Sequence, residues 1–265
     1  MVRKLLRKIK KIVRINWIKS AYINFRVLPI EKAIKFPIIV TGKVRIKSLN
    51  GKIIINGNVR FGLVNIGKDV DNMPISILPA QLMIKGVLIL NGDVILNQSA
   101  NLVVWPNAIM ELGNDVMICS GVTLKAVNKV TVGNHVMISS GCFIMDSSIH
   151  CIYNTEDMSV ASPNGEIHIG NNVWLNMYTD VIKWGQVPDG CITARYTFIN
   201  KPLDTSDENC FLAGQPARVI KRNLTQLHNL SSERVVTKFY KEHNEFERYK
   251  LNAKEVDSEN LCKIL

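Results

Sequence analysis

Aliphatic residues recur at every sixth position through the middle of the chain, and this spacing restricts the possible folds more than any other feature. One such run is formed by Ile169, Leu175, Val181 and Val187, and shorter runs elsewhere keep the same step. A six-residue period fits neither the 3.6-residue turn of an α-helix nor the two-residue alternation of a half-buried strand. Repetition at a fixed short period predicts a solenoid.

The six-residue step has a direct structural explanation. Three short strands of six residues close one triangular coil, and inward-pointing side chains stack on their equivalents about 4.8 Å away in the next coil. Glycine, asparagine and aspartate suit the corners, where left-handed backbone conformations cost them little. The sequence therefore predicts an all-β parallel β-helix. A long excursion at about residues 151–165 interrupts the step, and loops that leave a rigid scaffold tend to carry function.

Composition divides the chain into three parts. Residues 1–37 are a basic segment, residues 38–221 are rich in Ile, Val, Gly and Asn, and residues 222–265 are predicted to contain a helix that covers an open end or a side of the solenoid. The apolar residues of the basic segment have helical spacing, which predicts an amphipathic helix followed by aromatic residues. This helix either binds a membrane surface or packs on the neighbouring domain.

The net charge of +11 is concentrated at the amino terminus. Seven of the first fourteen residues are Lys or Arg, and the rest of the chain is only mildly basic. Such a cluster indicates an anionic partner, for which a membrane surface contacted through residues 1–27 is the candidate and nucleic acid is not. No apolar run reaches the roughly 18 residues of a membrane-spanning helix. Since no signal peptide is recognised either, the expected location is the cytoplasm, on the inner face of the cytoplasmic membrane if residues 1–27 bind it.

The six cysteines point to a reducing compartment. None of them forms a CxxC pair, so a zinc knuckle is not expected. Cys119, Cys142 and Cys191 lie within apolar repeats and are interpreted as small buried side chains.

Three features of the sequence together resemble one family. They are the hexapeptide step, the stretch NNVW at Asn171–Trp174 and the stretch ENCFLAGQPARVIKRN at Glu208–Asn223. They resemble the left-handed β-helix, hexapeptide-repeat acyltransferases, and within these the O-acetyltransferases of bacterial surface-polysaccharide synthesis, relatives of maltose and galactoside acetyltransferases. The resemblance covers roughly residues 38–223. It implies a left-handed parallel β-helix that transfers an acetyl group from acetyl-CoA to a sugar hydroxyl, in a homotrimer whose sites lie between subunits and without a metal.

The resemblance also implies a general base. In the family it is a histidine in a D-x-D-F-H stretch just before the extruded loop, and the matching stretch here is DSSIHCIYN, which begins at Asp146. His150 therefore takes the role of the base, and Asp146 that of orienting or polarising the imidazole. A neutral imidazole suits a base that works near neutral pH. Ser148 and Ile149 replace the second acidic and the aromatic position, and Cys151 is interpreted as a bystander.

A coenzyme A groove is implied in the same way. The residues that match it, or that match cations for its phosphates, are Met177, Ala194, Arg195, Lys201, Ala213, Gly214, Arg218 and Lys221. Arginine and lysine suit a pyrophosphate and a 3′-phosphate. Asn176, Arg195 and Tyr196 stand where the family has small residues, so the groove is expected to differ in shape.

Three other functions compete with O-acetylation. The first is an N-acyltransferase acting on a nucleotide-linked amino sugar, and the second is a non-catalytic, membrane-associated β-helix scaffold. The third is a zinc hydratase on the same fold, which would require three converging histidines. His135, His150 and His168 lack the necessary spacing, and we expect His135 and His168 to be solvent-facing corner residues. Trp105, Trp174 and Trp184 are candidates either for a subunit interface or for packing on the solenoid.

Overall fold

The computed structural model describes residues 13–68, 77–203, 205–251 and 262–264. Its main body is a three-sided solenoid in which successive strands pass from one parallel sheet to the next. The parallel β-helix predicted from the six-residue step is confirmed.

Short strands make up the solenoid, and helices are found before and after it. The helices are α1 (Trp17–Val27), α2 (Ile30–Ala33) and α3 (Leu230–Glu242), with a 3₁₀ turn at Thr205–Asp207. The strands are β1 (Ile38–Val40), β2 (Val44–Leu49), β3 (Lys52–Ile55), β4 (Val64–Lys68), β5 (Ala80–Ile84), β6 (Val87–Leu90), β7 (Val94–Asn97), β8 (Asn101–Val104), β9 (Ile109–Leu112), β10 (Val116–Ile118), β11 (Thr123–Ala126), β12 (Lys129–Val132), β13 (Val136–Ile138), β14 (Phe143–Met145), β15 (Ile152–Tyr153), β16 (Val160–Ala161), β17 (Glu166–Ile169), β18 (Trp174–Leu175), β19 (Asp180–Ile182), β20 (Gln186–Val187), β21 (Ile192–Thr193), β22 (Phe198–Ile199), β23 (Phe211–Ala213) and β24 (Arg218–Lys221).

Three sheets form the sides of the solenoid. Sheet A has the order β1-β4-β7-β10-β13-β18-β21-β23-β24, sheet B the order β2-β5-β8-β11-β14-β19-β22, and sheet C the order β3-β6-β9-β12-β17-β20. Strand β24 runs antiparallel to β23 and ends sheet A. We call the turns that lead from sheet A to sheet B the A/B edge, and those from sheet B to sheet C the B/C edge.

The core consists of aliphatic side chains stacked coil over coil. In sheet B, Leu124 pairs with Ile144 and Ile144 with Val181, and all three have no exposed surface. The residues that carry the six-residue step, such as Leu175 and Val187, are likewise fully buried. Burying each such side chain stabilises the fold by about 1.5–3 kcal/mol, so the repeat provides the stability of the solenoid.

Asparagine side chains connect successive coils at the edge between sheets C and A. The backbone N–H of Asn114 donates to Oδ1 of Asn134 (2.8 Å), and the N–H of Asn134 donates to Oδ1 of Asn171 (2.9 Å). Asp189 continues the series by accepting from the N–H of Asn171 at 2.7 Å. These bonds satisfy turn N–H groups that the parallel ladders leave without a partner, which explains the asparagines of the repeats.

Helix α1 closes the amino-terminal end of the solenoid. Ile23 is fully buried against the first coils. The side chain of Asn24 accepts from the N–H of Ile38 (3.1 Å) and donates to its carbonyl oxygen (2.6 Å), and Ser20 Oγ accepts from the N–H of Val40 at 3.0 Å. The exposed edge of the first strand is thereby covered. Of the expected amphipathic helix, residues 1–12 lie outside the described part of the chain.

The carboxy-terminal extension lies along the outer side of sheet A. Gln226 Nε2 donates to the carbonyl oxygen of His135 (2.8 Å), and the rings of His228 and Trp174 meet edge to face at 5.5 Å. Ile264 packs on a small cluster that contains Met117. Of the two placements expected for the extension, the structure shows the side of the solenoid. None of the described helices is long and apolar enough to cross a membrane.

Candidate active site

Between β14 and β17 the chain leaves the solenoid at the B/C edge as a long loop. Strands β15 and β16 form an antiparallel hairpin within it. Its base is closed by Ser147 Oγ, which donates to Asn164 Oδ1 (2.7 Å), and by the N–H of Ser148, which donates to the carbonyl oxygen of Pro163 (2.9 Å). The hairpin exposes four apolar side chains, Ile152, Tyr153, Met158 and Val160. The excursion expected at 151–165 is therefore an ordered arm with an apolar surface.

His150, the expected base, lies where this arm begins. Its backbone is held locally, because its N–H donates to the carbonyl oxygen of Ser148 (2.7 Å) and its carbonyl oxygen accepts from Ser148 Oγ (2.9 Å). The side chain is exposed, and no described residue forms a hydrogen bond with the imidazole. Both ring nitrogens are thus available to a ligand.

Asp146 is fully buried at the point where the loop leaves the coil. Its two carboxylate oxygens accept from the N–H groups of Val127 (2.7 Å) and Asn128 (2.8 Å), one coil below. Burial raises the pKa of Asp146 above its usual value, although these N–H groups lower it. The carboxylate of Asp146 thus accepts hydrogen bonds from the backbone of the turn one coil below. Within the described part of the chain it forms no hydrogen bond with His150.

The other end of the loop is fixed to the same turn. Asn128 Nδ2 donates to the carbonyl oxygen of Gly165 (2.8 Å), and the N–H of Gly165 donates to the carbonyl oxygen of Asp146 (2.8 Å). The ring of Trp184 lies so close to Gly165 that an added Cβ would come within 2.9 Å of it. The loop base that carries His150 is therefore held between the coil below and the coil above.

Most of the expected cofactor residues lie together on a different edge. Met177, Ala194 and Arg195 lie in the A/B turns of two successive coils, and Ala213 and Gly214 lie at the end of β23 in the next coil, where β23 pairs with β21. We call these five residues the A/B column. Arg218, in β24, pairs with Ala213 and lies beside this column. The other two are apart from it: Lys221 pairs with Phe211 at the far end of β24, and Lys201 follows β22 on the B/C side of sheet B.

An aromatic stack flanks the A/B column. The rings of Tyr178 and Tyr196 stack with centroids 5.3 Å apart, and the guanidinium of Arg195 lies 4.9 Å and 4.7 Å from their centroids. Arg195 Nη2 also donates to the Tyr196 hydroxyl at 3.0 Å. No described acidic side chain forms an ion pair with Arg195, so the stack holds a cation that is open to an anionic ligand.

Both tyrosines stand at positions that favour glycine. Their φ angles are +58° and +62°, whereas the equivalent turns of two earlier coils have Gly121 (φ +73°) and Gly141 (φ +76°). A left-handed conformation costs a non-glycine residue roughly 1–2 kcal/mol, and such strain concentrates at functional sites. Sequence reasoning singled out Arg195 and Tyr196 but missed Tyr178. The signal was a tyrosine at a corner position that is glycine in preceding repeats.

Two buried cysteines are poor nucleophiles, Cys142 in an A/B turn and Cys191 just before β21, at the edge between sheets C and A. Cys142 Sγ donates to the carbonyl oxygen of Asn176 (3.1 Å), and burial raises the pKa of the thiol to about 12. Burial likewise raises the pKa of Cys191 to about 11. Cys151 is the exposed one of the six cysteines. Cys142 and Cys191 thus remain protonated at neutral pH and serve as core side chains, as the repeats predicted.

The remaining histidines do not converge with His150. His135 Nδ1 lies 2.7 Å from Asp115 Oδ2, and its side chain is 25% exposed, so it is more buried than the solvent-facing corner position expected for it. His168 is exposed on β17. Among the residues that the structure describes, no group of three or more His, Cys, Asp or Glu side chains is placed to hold a metal ion.

The expected base and the expected groove lie at opposite edges of sheet B. In the coil that carries the loop, Cys142 is in the A/B turn and Asp146 in the B/C turn. Four residues of extended chain span about 13 Å. Within one chain, the arm with His150 therefore begins on the far side of the sheet from the A/B column.

Comparison with known proteins gives the following similarities. No family model matches the chain. A protein of Klebsiella pneumoniae described as an uncharacterized 24.8 kDa protein in cps region is 29% identical over 206 residues, which cover 77% of this chain and 87% of that protein.

Two solved acyltransferase structures are also similar over much of the chain. NeuO, a polySia specific acetyltransferase, is 19% identical with a TM-score of 0.45, over 77% of this chain and 94% of that one. AntD, an N-acyltransferase from Bacillus cereus in complex with dTDP and 3-hydroxybutyryl-CoA, is 13% identical with a TM-score of 0.44, over 77% and 87%.

Proposed function

We propose that the protein is an acetyl-CoA-dependent O-acetyltransferase that acetylates a sugar hydroxyl in bacterial surface-polysaccharide or lipopolysaccharide synthesis. The observation that carries this proposal is the exposed imidazole of His150, which no described residue bonds, at the base of a loop that leaves a rigid solenoid. The likeness to a cps-region protein supports the setting in polysaccharide synthesis.

The chemistry follows from one general base. The imidazole of His150 takes the proton of the sugar hydroxyl while the oxygen attacks the thioester carbonyl. The tetrahedral intermediate collapses with formation of the ester and cleavage of the C–S bond, and the imidazolium returns its proton to the leaving thiolate of coenzyme A. Backbone N–H groups near the cleft stabilise the oxyanion. Protons balance within the step, and no covalent enzyme intermediate is needed.

The A/B column provides the donor site in this proposal. The small side chains of Ala194, Ala213 and Gly214 leave room for a pantetheine arm beside Met177. Arg195, supported by its two tyrosines, and Arg218, beside Ala213, supply cations for the phosphates of coenzyme A.

A complete site is formed between two copies of the chain. The A/B column of one copy needs a base from outside, and the B/C edge of another carries His150. Lys201 lies on the B/C side of sheet B as well, so the same arrangement brings this cation towards the groove. The apolar side chains exposed on the hairpin, Ile152 and Val160 among them, suit a contact with a neighbouring subunit. A homotrimer accommodates three such sites with closed symmetry.

The decisive experiment is coenzyme A release from acetyl-CoA with a panel of bacterial glycans. The His150→Ala variant should lose about 10²- to 10⁴-fold in kcat while still binding coenzyme A in calorimetry. His168→Ala, which removes an exposed histidine from β17, the strand that follows the loop, is the matched control and should keep wild-type turnover. Equal turnover of wild type and His150→Ala would refute the assignment.

The nature of the product separates O-acylation from the competing functions. An ester product is labile in mild base, whereas the amide product of an N-acyltransferase is stable. A scaffold without catalysis would gain no thermal stability from acetyl-CoA, because a ligand raises stability only by binding the folded state.

A further inference from the structure

The end of the solenoid that α1 closes presents an apolar surface to solvent. We call it the cap surface, and it consists of the exposed side chains of Trp17, Ile18, Phe25, Ile30, Ile34 and Phe61. Ile18 is 84% and Ile34 62% exposed. Large apolar side chains exposed together at one end of a fold mark an interaction site.

The cap surface is a folded platform made from separate parts of the chain. The Trp17 ring contacts the rings of Phe36 (5.8 Å) and Phe61 (6.1 Å), and Phe25 contacts Phe36 at 6.0 Å. These contacts join α1 to the segment after α2 and to the turn before β4. Because α1 buries Ser20, Ile23 and Asn24 on the solenoid, its aromatic side is presented at a fixed orientation.

Almost all of the net charge of the protein lies in its amino-terminal segment. Residues 1–36 contain eleven of the 33 Lys and Arg and one of the 22 Asp and Glu, which gives +10 of the total of +11. Arg14, Arg26 and Lys35 are exposed around the cap surface, and Glu31 is the single acidic residue of the segment. The partner of this end must therefore be anionic as well as apolar.

The combination of an apolar surface with positive charge decides between the possible partners. A second copy docked end to end would set +10 against +10, and folding residues 1–12 back would add six further cations to a surface that is already basic. Nucleic acid supplies phosphates but no apolar medium for Ile18 and Ile34. The interface of an anionic bilayer supplies both, and tryptophan and tyrosine are enriched there.

We propose that the cap surface docks onto anionic lipid bilayers, so that the solenoid stands on its amino-terminal end. The contact is the folded cap of α1, α2 and Phe61, with the basic residues 1–12 as an additional attraction, rather than an amphipathic helix alone. The inference is independent of the catalytic proposal.

The test is flotation of the full-length protein with vesicles of phosphatidylcholine, with and without phosphatidylglycerol. Wild type should float with the anionic vesicles at least about tenfold better than with neutral ones, and high salt should weaken the binding. The Ile18→Ser/Ile34→Ser variant, which changes only exposed side chains, should lose most of this binding. Equal flotation with both vesicle types would overturn the proposal.

Matched charge reversals test whether position or total charge matters. Arg14→Glu/Arg26→Glu/Lys35→Glu should abolish flotation. Arg234→Glu/Lys238→Glu/Lys241→Glu, which makes the same change on exposed residues of α3, should leave it intact. Equal losses in the two triple variants would show adsorption by net charge and overturn the proposal, as would self-association in sedimentation that Ile18→Ser/Ile34→Ser removes.

Trp17 reports the orientation directly. Lipids brominated near the headgroup should quench part of the tryptophan fluorescence of the bound protein, and Trp17→Phe should remove this quenching while flotation persists. Quenching that is unchanged in Trp17→Phe would assign the contact to Trp105, Trp174 or Trp184, away from the cap, and would refute end-on docking.

Discussion

Tyr178 and Tyr196 occupy equivalent turns of successive coils, and their rings stack at an interplanar angle of 18°. The guanidinium of Arg195 rests on both rings, so two strained tyrosines hold one exposed cation beside the expected donor groove. A side chain fixed in this way loses little conformational entropy when it binds a phosphate. The stack is thus preorganised for the phosphate that the proposed function assigns to Arg195.

Removing this cation should weaken donor binding more than chemistry. We expect Arg195→Ala to raise KM for acetyl-CoA by about tenfold, because the variant loses about one charge-assisted hydrogen bond to a phosphate. The value of kcat should be nearly unchanged. Arg234→Ala on α3 is the control and should have wild-type constants. A fall in kcat at unchanged KM would contradict the assignment to the donor site, and steady-state kinetics distinguish the two results.

The ring of Tyr178 packs against Gly141 and leaves no room for a Cβ at this position. A Cβ at this position would lie 2.5 Å from Tyr178 Cε1, and φ is +76°. Gly141→Ala should therefore lower the free energy of unfolding by about 2–4 kcal/mol, from left-handed strain and overpacking together, as measured by urea denaturation.

A glycine elsewhere in the solenoid separates these two contributions. Gly57 has a similar φ of +73° but nothing within 4 Å of its added Cβ, so Gly57→Ala should cost only the strain of about 1–2 kcal/mol. Adding Tyr178→Gly to Gly141→Ala should recover the part of the lost stability that comes from overpacking. Equal losses for the two single substitutions would show that the contact with Tyr178 does not constrain position 141.

Asp146 is expected to act on His150 through the base of the loop. Asp146→Ala leaves the N–H groups of Val127 and Asn128 without their acceptor and should cost about 1–3 kcal/mol of stability. Asp157→Ala removes an exposed carboxylate within the same loop and should change stability by less than about 0.5 kcal/mol.

The pH dependence of kcat distinguishes this positioning role from direct polarisation. If the carboxylate acts only by holding the loop, Asp146→Asn lowers kcat but leaves the pH midpoint of the basic group unchanged. A carboxylate that interacts with the imidazole would raise the pKa of the imidazole, so Asp146→Asn would then move the midpoint to lower pH. A pH–rate profile of both proteins gives the answer.

Thiol reactivity should be confined to one cysteine. Burial raises the pKa of the Cys142 thiol to about 12 and that of Cys191 to about 11, so both thiols stay protonated, and hence unreactive, until the pH approaches those values. At pH 8 a maleimide should label Cys151 alone, because it is the exposed cysteine. Since direct transfer uses no cysteine nucleophile, Cys151→Ser should keep full activity, and a loss would contradict that mechanism.

The sequence predicts those parts of the fold that follow from a local, periodic pattern. The inward positions of Leu175 and Val181 follow from the six-residue step alone, and both are fully buried. Contacts between distant parts of the chain leave no such pattern. The bond from Gln226 to His135 spans 91 residues, and the stack on Tyr178 depends on the register between coils. The side of the solenoid that the extension covers and the tyrosine stack therefore emerge only in three dimensions.

A site shared between copies makes a quantitative prediction for mixed oligomers. His150→Ala removes the base at the B/C edge, and Ala194→Trp fills the groove at the A/B edge; each variant alone should be inactive. In oligomers formed by co-expression of equal amounts of the two, about a quarter of the sites combine an intact groove with an intact His150. Recovery of about this fraction of wild-type turnover would support the shared site. If the site instead lies within one chain, every site carries one of the two defects, and co-expression should restore no activity.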